Sequence, residues 1–184
     1  MIKFITSATK KEQFPLAFKA DIVIVGRSNT GKSSLINALF NSKIAHVGKT
    51  PGKTKLINFF EINEKYYLVD LPGYGYAKLG KNNYDYFARM MDEYFDNREF
   101  IKLVLIIIDI RRDLSEDDLL MIDYLKTKGI NYLFVLNKMD KLNQSEKHHR
   151  EQYFNKQLNE KYLTVSALKK RNINLLLSLI ENCL

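Results

Sequence analysis

Cysteine is almost missing from this chain. Its 184 residues include one, Cys183, which has no internal partner for a disulfide, so a reducing, cytoplasmic setting is expected. No apolar run approaches the ~20 residues of a helical membrane span. Met1 to Thr9 lacks the basic-then-apolar layout of a secretory signal. Neither a basic amphipathic tail nor a lipidation signal is present, so no membrane attachment is expected. Linkers, internal repeats and low-complexity segments are lacking too, and the length suits one sizeable core, so one domain over residues 1–184 is expected. Acidic side chains are in deficit, 21 against 29 lysines and arginines, for a formal net charge of +8. That excess suits nucleic acid, an anionic lipid surface or solubility alone. No RRM or KH signature accompanies it.

What is present is organised around Gly26-Arg27-Ser28-Asn29-Thr30-Gly31-Lys32-Ser33-Ser34, which matches G-x-x-x-x-G-K-[ST], the phosphate-binding loop. Asp21 to Val25 before it is a β-branched apolar run and reads as a buried strand. Leu35 to Phe40 after it reads as a helix. Gly26 and Gly31 permit backbone angles that let successive N–H groups curl around phosphate oxygens. The following helix N-terminus adds partial positive charge at the same point. Lys32 can reach β- and γ-phosphates, and the Ser33 hydroxyl can ligate Mg²⁺.

The rest of the chain alternates. Lys3 to Thr6 reads as an edge strand or a cap. Leu56 to Ile62 and Lys65 to Leu71 read as a hairpin about a turn at Asn63-Glu64. Two loops rich in breakers flank that hairpin, Asn41 to Lys55 and Pro72 to Asn83. Tyr84 to Arg98 carries aromatic and apolar residues at helical spacing, and Ile101 to Ile110 is a continuous apolar run, as in a strand buried on both faces. Ser115 to Lys128 reads as a helix capped by Ser115, whose Asp117-Asp118 pair reads as a complement to the helix dipole, solvated rather than catalytic. Strands at Asn131 to Leu136 and Tyr162 to Val165, and helices at Ser145 to Glu160 and Asn172 to Cys183, complete the chain. His148 and His149 are adjacent on a helix and point apart, which disfavours a metal site. The pattern predicts an α/β fold: a doubly wound, mainly parallel sheet of about six strands, helices on both faces, one antiparallel strand at an edge.

In such a sheet, ligands sit beyond the carboxyl ends of the strands. Asp70-Leu71-Pro72-Gly73 ends the second hairpin strand. There Asp70 can hold a water of the Mg²⁺ shell, and Gly73 can offer its N–H to a γ-phosphate with no side chain intervening. Asn137-Lys138-Met139-Asp140 ends a later strand. The Asp140 carboxylate can accept two hydrogen bonds from the N1–H and exocyclic amine of guanine. Adenine would leave it unpaired. Lys138 can lie along the base plane, Asn137 can tie this loop to the phosphate loop, and Ser166-Ala167, after Val165, can offer a backbone N–H to the guanine O6.

Four motifs in this order resemble the translation-factor-related GTPases. The stretches Gly26 to Asn37, Pro51-Gly52-Lys53-Thr54 and Asp70-Leu71-Pro72-Gly73-Tyr74-Gly75-Tyr76-Ala77 resemble the EngB (YihA/YsxC) GTPases more closely still, as does Asp109-Ile110-Arg111-Arg112 followed by Asp117 or Asp118. The resemblance covers nearly the whole chain. Thr30 stands where valine is common, the proline after the arginine pair is missing, and Asn137 stands where threonine is frequent. None of these removes a ligand-bearing group.

The resemblance implies a GTP/GDP-binding protein that hydrolyses GTP with Mg²⁺ and acts in assembly of the large ribosomal subunit. It also implies a connection with cell division and septation, and a monomer. It implies Thr54 as the second Mg²⁺ ligand, with Thr50 as the local alternative. It extends the nucleotide-binding set through Gly52, Lys53, Lys55, Leu56, Leu71, Pro72, Met139 and Val165, and makes Lys32, Thr54 and Gly73 the catalytic group. Where Ras-like enzymes carry a water-orienting glutamine after Asp-x-x-Gly, this chain has Tyr74, so slow intrinsic turnover is expected, stimulated by a partner or ion. Both glycine-containing loops are expected to be mobile or displaced without the γ-phosphate. An ATP-using P-loop enzyme and a nucleotide-independent RNA-binding module are the rival readings. For RNA contacts the candidates are Lys78, Lys81, Arg111, Arg112, Lys169, Lys170 and Arg171.

Overall fold

The computed structural model describes residues 1–45, 56–75 and 81–184, of which 81–84 by backbone alone. The elements in chain order are strand β1 (Ile2–Ala8), β2 (Ala20–Gly26), helix α1 (Lys32–Leu39), β3 (Ile57–Ile62), β4 (Tyr66–Asp70), α2 (Lys81–Asp96), β5 (Ile101–Asp109), α3 (Glu116–Thr127), β6 (Tyr132–Asn137), α4 (Gln144–Gln157), β7 (Tyr162–Thr164) and α5 (Ile173–Glu181).

The apolar run of β5 alternates between two cores, as a strand covered on both sides must. Val104, Ile106 and Ile108 pack on one face with Met90, Met91, Tyr94 and Phe95 of α2, Ile122 and Leu125 of α3 and Phe154 of α4. Leu103, Leu105 and Ile107 pack on the other with Leu35, Ile36 and Leu39 of α1 and Leu176 and Ile180 of α5. The sheet runs β1-β3-β4-β2-β5-β6-β7. Its last five strands in that order are parallel, and antiparallel pairing is confined to the β1–β3–β4 end. This is the doubly wound, mainly parallel α/β sheet that the alternation predicts.

One strand more than the expected six is present among the described residues. It is β1, the stretch left open as edge strand or cap, and it pairs along the outer side of β3. Its apolar alternation is broken by a register shift between Phe4 and Thr6, which is why the sequence pattern underreports it. The hairpin turn falls at Asn63-Glu64, both with positive φ (50° and 60°), the geometry of a tight turn matched to strand twist.

Helix starts differ where the sequence reading followed apolar periodicity. α1 begins at Lys32 rather than Leu35, so Lys32, Ser33 and Ser34 form its first turn. α2 begins at Lys81, inside the segment read as loop. α4 begins at Gln144, one residue before the expected Ser145, and Asn143 caps it by accepting from the Glu146 N–H.

At the amino-terminal end of β2, Asp21 is fully buried and held by a two-pronged ion pair from Arg98 (2.7 Å at both carboxylate oxygens) and by the Tyr94 hydroxyl at 2.8 Å. Paired geometry of this kind is what a buried charge requires. It clamps the end of α2 to the strand that leads into the phosphate loop. Among the described residues no helix is long and apolar enough to cross a membrane.

Candidate functional site

The carboxyl ends of β2, β4, β5, β6 and β7 meet at one edge of the sheet. The β2–α1 turn brings Gly26, Arg27, Ser28, Asn29, Thr30, Gly31, Lys32, Ser33 and Ser34 together. Thr30 is turned inward, its hydroxyl donating to the Arg27 carbonyl at 2.8 Å. Gly31 sits at φ +96°, and a Cβ there would come within 2.5 Å of the Asn137 amide nitrogen. Glycine is therefore required both by the backbone angle and by the neighbour. The first N–H groups of α1 have no partners within the helix and point out of this turn, the arrangement that accepts an anion.

Asn137, 1% exposed, joins three loops. Its amide donates to the Thr30 carbonyl at 3.1 Å, and its oxygen accepts from the Lys138 N–H (2.8 Å) and the Ala167 N–H (3.1 Å). The expected tie from this motif to the phosphate loop is thus present and extends to Ser166-Ala167. Asp140 follows in a short 3-10 turn with Met139, whose N–H donates to the Val165 carbonyl at 3.2 Å. The Ser166 hydroxyl donates to Asp140 Oδ1 at 2.5 Å, so this carboxylate is oriented before any base arrives.

Asp70 ends β4 almost fully buried, and among the described residues its Oδ1 has no hydrogen-bond partner. Burial pushes its carboxyl pKa up, opposed by the charge of Lys32 and a hydrogen bond from Asn58. A buried, orphaned carboxylate oxygen next to a phosphate-loop lysine fits a water of a metal's shell, which would supply the missing hydrogen bond. Leu71 and Pro72 are buried, and Leu71 contributes its side chain to the core. Gly73 lies against the phosphate loop, where a Cβ would stand 3.3 Å from Lys32 Nζ. Leu56 is exposed just ahead of β3. Gly52, Lys53, Thr54 and Lys55, with the alternative Thr50, lie outside the described residues, as does Lys78.

The chain is similar in sequence and fold to known proteins. A family model described as 50S ribosome-binding GTPase matches residues 21–138. The probable GTP-binding protein EngB of Thermotoga maritima is 42% identical, over the whole of this chain and 96% of its own length. The EngB of Mycoplasmopsis pulmonis is also 42% identical, over 99% of this chain and 98% of its own. This chain belongs to the EngB family of GTP-binding proteins. A crystal structure of a probable EngB superposes with a TM-score of 0.65 at 25% identity, covering 89% of this chain and 98% of that one. The fold is shared with Aquifex aeolicus Era, TM-score 0.70 at 23% identity, where the match spans 89% of this chain and 56% of Era. As a member of the family the protein binds guanine nucleotide and is a GTP-hydrolysing enzyme.

Two acidic residues matter here more than sequence reasoning assigned. Asp109, at the end of β5, is 2% exposed. It accepts a fork from Arg111 (2.9 and 2.7 Å) and the Lys138 ammonium at 3.0 Å. Lys138 also reaches the Asn29 carbonyl at 2.5 Å, so Asp109 holds the lysine that spans from the base motif to the phosphate loop. Desolvation would raise the Asp109 pKa, yet the hydrogen bonds from Arg111 and Lys138 outweigh it and bring it to about 2. Because this pKa is lowered from 3.8, the stabilisation is full above about pH 4 and fades as pH falls toward 2. Asp109→Asn should therefore cost ~2 kcal/mol of stability at pH 7 and much less near pH 2. Urea unfolding at the two pH values checks this, and an equal cost at both would remove the ionic account.

Asp118 overturns the solvated reading of the Asp117-Asp118 pair. It is 3% exposed and accepts from Ser115 and from the Tyr74 hydroxyl. Capping of α3 by Ser115 stands as read. Of the basic residues considered for RNA, Arg111 is engaged by Asp109, Lys170 bonds Asn41 at 2.5 Å, and Arg112, Lys169 and Arg171 are exposed. The side chain of Lys81 is not among those described. His149 bonds the Ser145 carbonyl of its own helix at 2.9 Å.

Proposed function

We propose that this GTPase is a Mg²⁺-dependent switch in assembly of the large ribosomal subunit. The observation that carries the nucleotide half is Asn137. One buried amide links the loop that reads guanine to the loop that cradles phosphates, so base identity and phosphate number are sensed by one connected unit. Asp140 argues against the ATP-using reading, because adenine would leave its carboxylate unpaired. The ribosomal half is supported by the description of the matching family and by the basic surplus of the chain. The same support weighs against a nucleotide-independent RNA-binding module, since the nucleotide site is complete in residue type.

In this reading Ser33 and Thr54 would ligate Mg²⁺ directly and Asp70 through water. Held by these residues, a bound Mg²⁺ would supply charge neutralisation for phosphoryl transfer. Lys32 and the loop N–H groups stabilise the charge that builds on the transferring group. Gly73 offers its N–H to the γ-phosphate. Tyr74 faces Asp118 and does not orient water, which agrees with slow intrinsic turnover raised by a partner or ion. The protein would act as a monomer in the cytoplasm, and normal division and septation would depend on it through ribosome supply.

Co-sedimentation with large ribosomal subunits tests the proposal in GDP, a non-hydrolysable GTP analogue and no nucleotide. Attachment should be strongest with the analogue, by roughly 5- to 150-fold over GDP, the usual range of coupling between two sites. Thr54→Ala should remove most of that advantage while GDP binding changes little, because its metal contact belongs to the triphosphate state. Equal attachment in all three states would rule out a switch.

A further inference from the structure

Tyr74 is buried to 5% exposure although it follows a glycine in a surface turn. Its hydroxyl donates to Asp118 Oδ1 at 2.8 Å. The other oxygen of Asp118 accepts from the Ser115 N–H at 2.9 Å and hydroxyl at 2.7 Å, so the carboxylate that caps α3 also receives Tyr74. Burial, then the Asp118 carboxylate, holds the Tyr74 hydroxyl well above the ordinary phenol range, so it remains a donor. Phenylalanine would fill the same core volume, and the hydroxyl serves this contact.

The main chain of Tyr74 faces the other way. Its carbonyl accepts the Ser28 N–H at 3.2 Å, and Arg27 and Tyr74 form an isolated parallel bridge. A Cβ on Gly73 would stand 3.2 Å from the Ser28 nitrogen and 3.3 Å from Lys32 Nζ. Phosphate oxygens need their own contacts of ~2.7–2.9 Å to an ammonium. While the turn lies here, the Ser28 N–H, a phosphate-loop donor, is taken by the Tyr74 carbonyl, and the turn sits against the Lys32 ammonium.

We propose that Asp118 is a positioning residue that, through Tyr74, holds the Asp70–Gly73 turn closed on the phosphate loop, so that a γ-phosphate binds only by breaking the Tyr74–Asp118 hydrogen bond. The latch rests on the triphosphate-switch reading above. It sets the balance between GDP and GTP without touching either nucleotide, and it links the phosphate end to the first turn of α3.

Tyr74→Phe tests it, because the ring and its packing are kept. Calorimetry with GDP and with a GTP analogue plus Mg²⁺ should show the analogue-to-GDP affinity ratio raised about tenfold, the effect of releasing one hydrogen bond to a charged acceptor. Amide exchange at Ser28 should quicken in the ligand-free variant. Ser115→Ala, which removes a different partner of Asp118, should lower the melting temperature and leave the ratio unchanged. A merely structural role for Tyr74 would lower stability in the same way without moving the ratio. A ratio in Tyr74→Phe that is unchanged, or lower, overturns the latch while the switch reading stands. Wild-type protein that fails to bind the analogue overturns the switch reading and the latch with it.

Discussion

Asp140→Asn should exchange guanine for xanthine. The carboxylate accepts two hydrogen bonds in the guanine reading, and an amide places a donor against the exocyclic amine of the base. Xanthine carries a carbonyl at that position, which the amide donor matches. Sites that recognise a polar edge reject the wrong partner by a factor of about 10⁴, since a buried group is left unpaired. The environment favours a clean result. The Ser166 hydroxyl at 2.5 Å fixes Asp140 Oδ1 and can still donate to the amide oxygen of the variant, and among the described residues the nearest cation, Lys141 Nζ, is 3.9 Å away. Calorimetry with GTP and xanthosine triphosphate decides the matter. Unchanged GTP affinity in Asp140→Asn would remove the guanine-reading role.

Lys32→Ala should lose most triphosphate affinity. Lys32 opens α1 close to Gly73 and acts by its charge on Asp70, and in the proposed function its ammonium contacts the β- and γ-phosphates. Two charge-assisted contacts at ~1.5–3 kcal/mol each correspond to roughly a 10³-fold loss. Ser33→Ala should behave differently, leaving part of the affinity and weakening its dependence on Mg²⁺, since the hydroxyl is the metal's ligand in this reading. Titrations of GTP with and without Mg²⁺ separate the two effects. If both variants bind GTP·Mg²⁺ as wild type does, the phosphate-loop assignment fails.

The site can be read from the chain because its parts are local. A glycine that must adopt φ +96°, a lysine at the first helical position and an aspartate at a strand end are each set by a few consecutive residues. The strand-helix alternation then places those ends on one edge of the sheet. Parallel strands joined by crossover helices all point their carboxyl ends the same way. The double-sided core of β5 was likewise legible, because a strand covered on both faces has no polar alternation.

Contacts between distant segments were not legible. Asp118 resembles any acidic residue in a helix's first turn until Tyr74, 44 positions earlier, is folded against it. Burial then turns a solvated dipole complement into a hydrogen-bond acceptor. Asp109 has the same history. Its role depends on Lys138 arriving from the next strand, 29 residues on, and no spacing rule links the two. The edge strand β1 also depends on its partner, since its register with β3 substitutes for the apolar pattern it lacks. By itself the sequence determined which residues stand at the strand ends as candidates for phosphate and guanine, because those motifs are carried by short loops. Only the tertiary structure decided which charges support those loops, because burial and pairing exist only between segments that the fold has brought together.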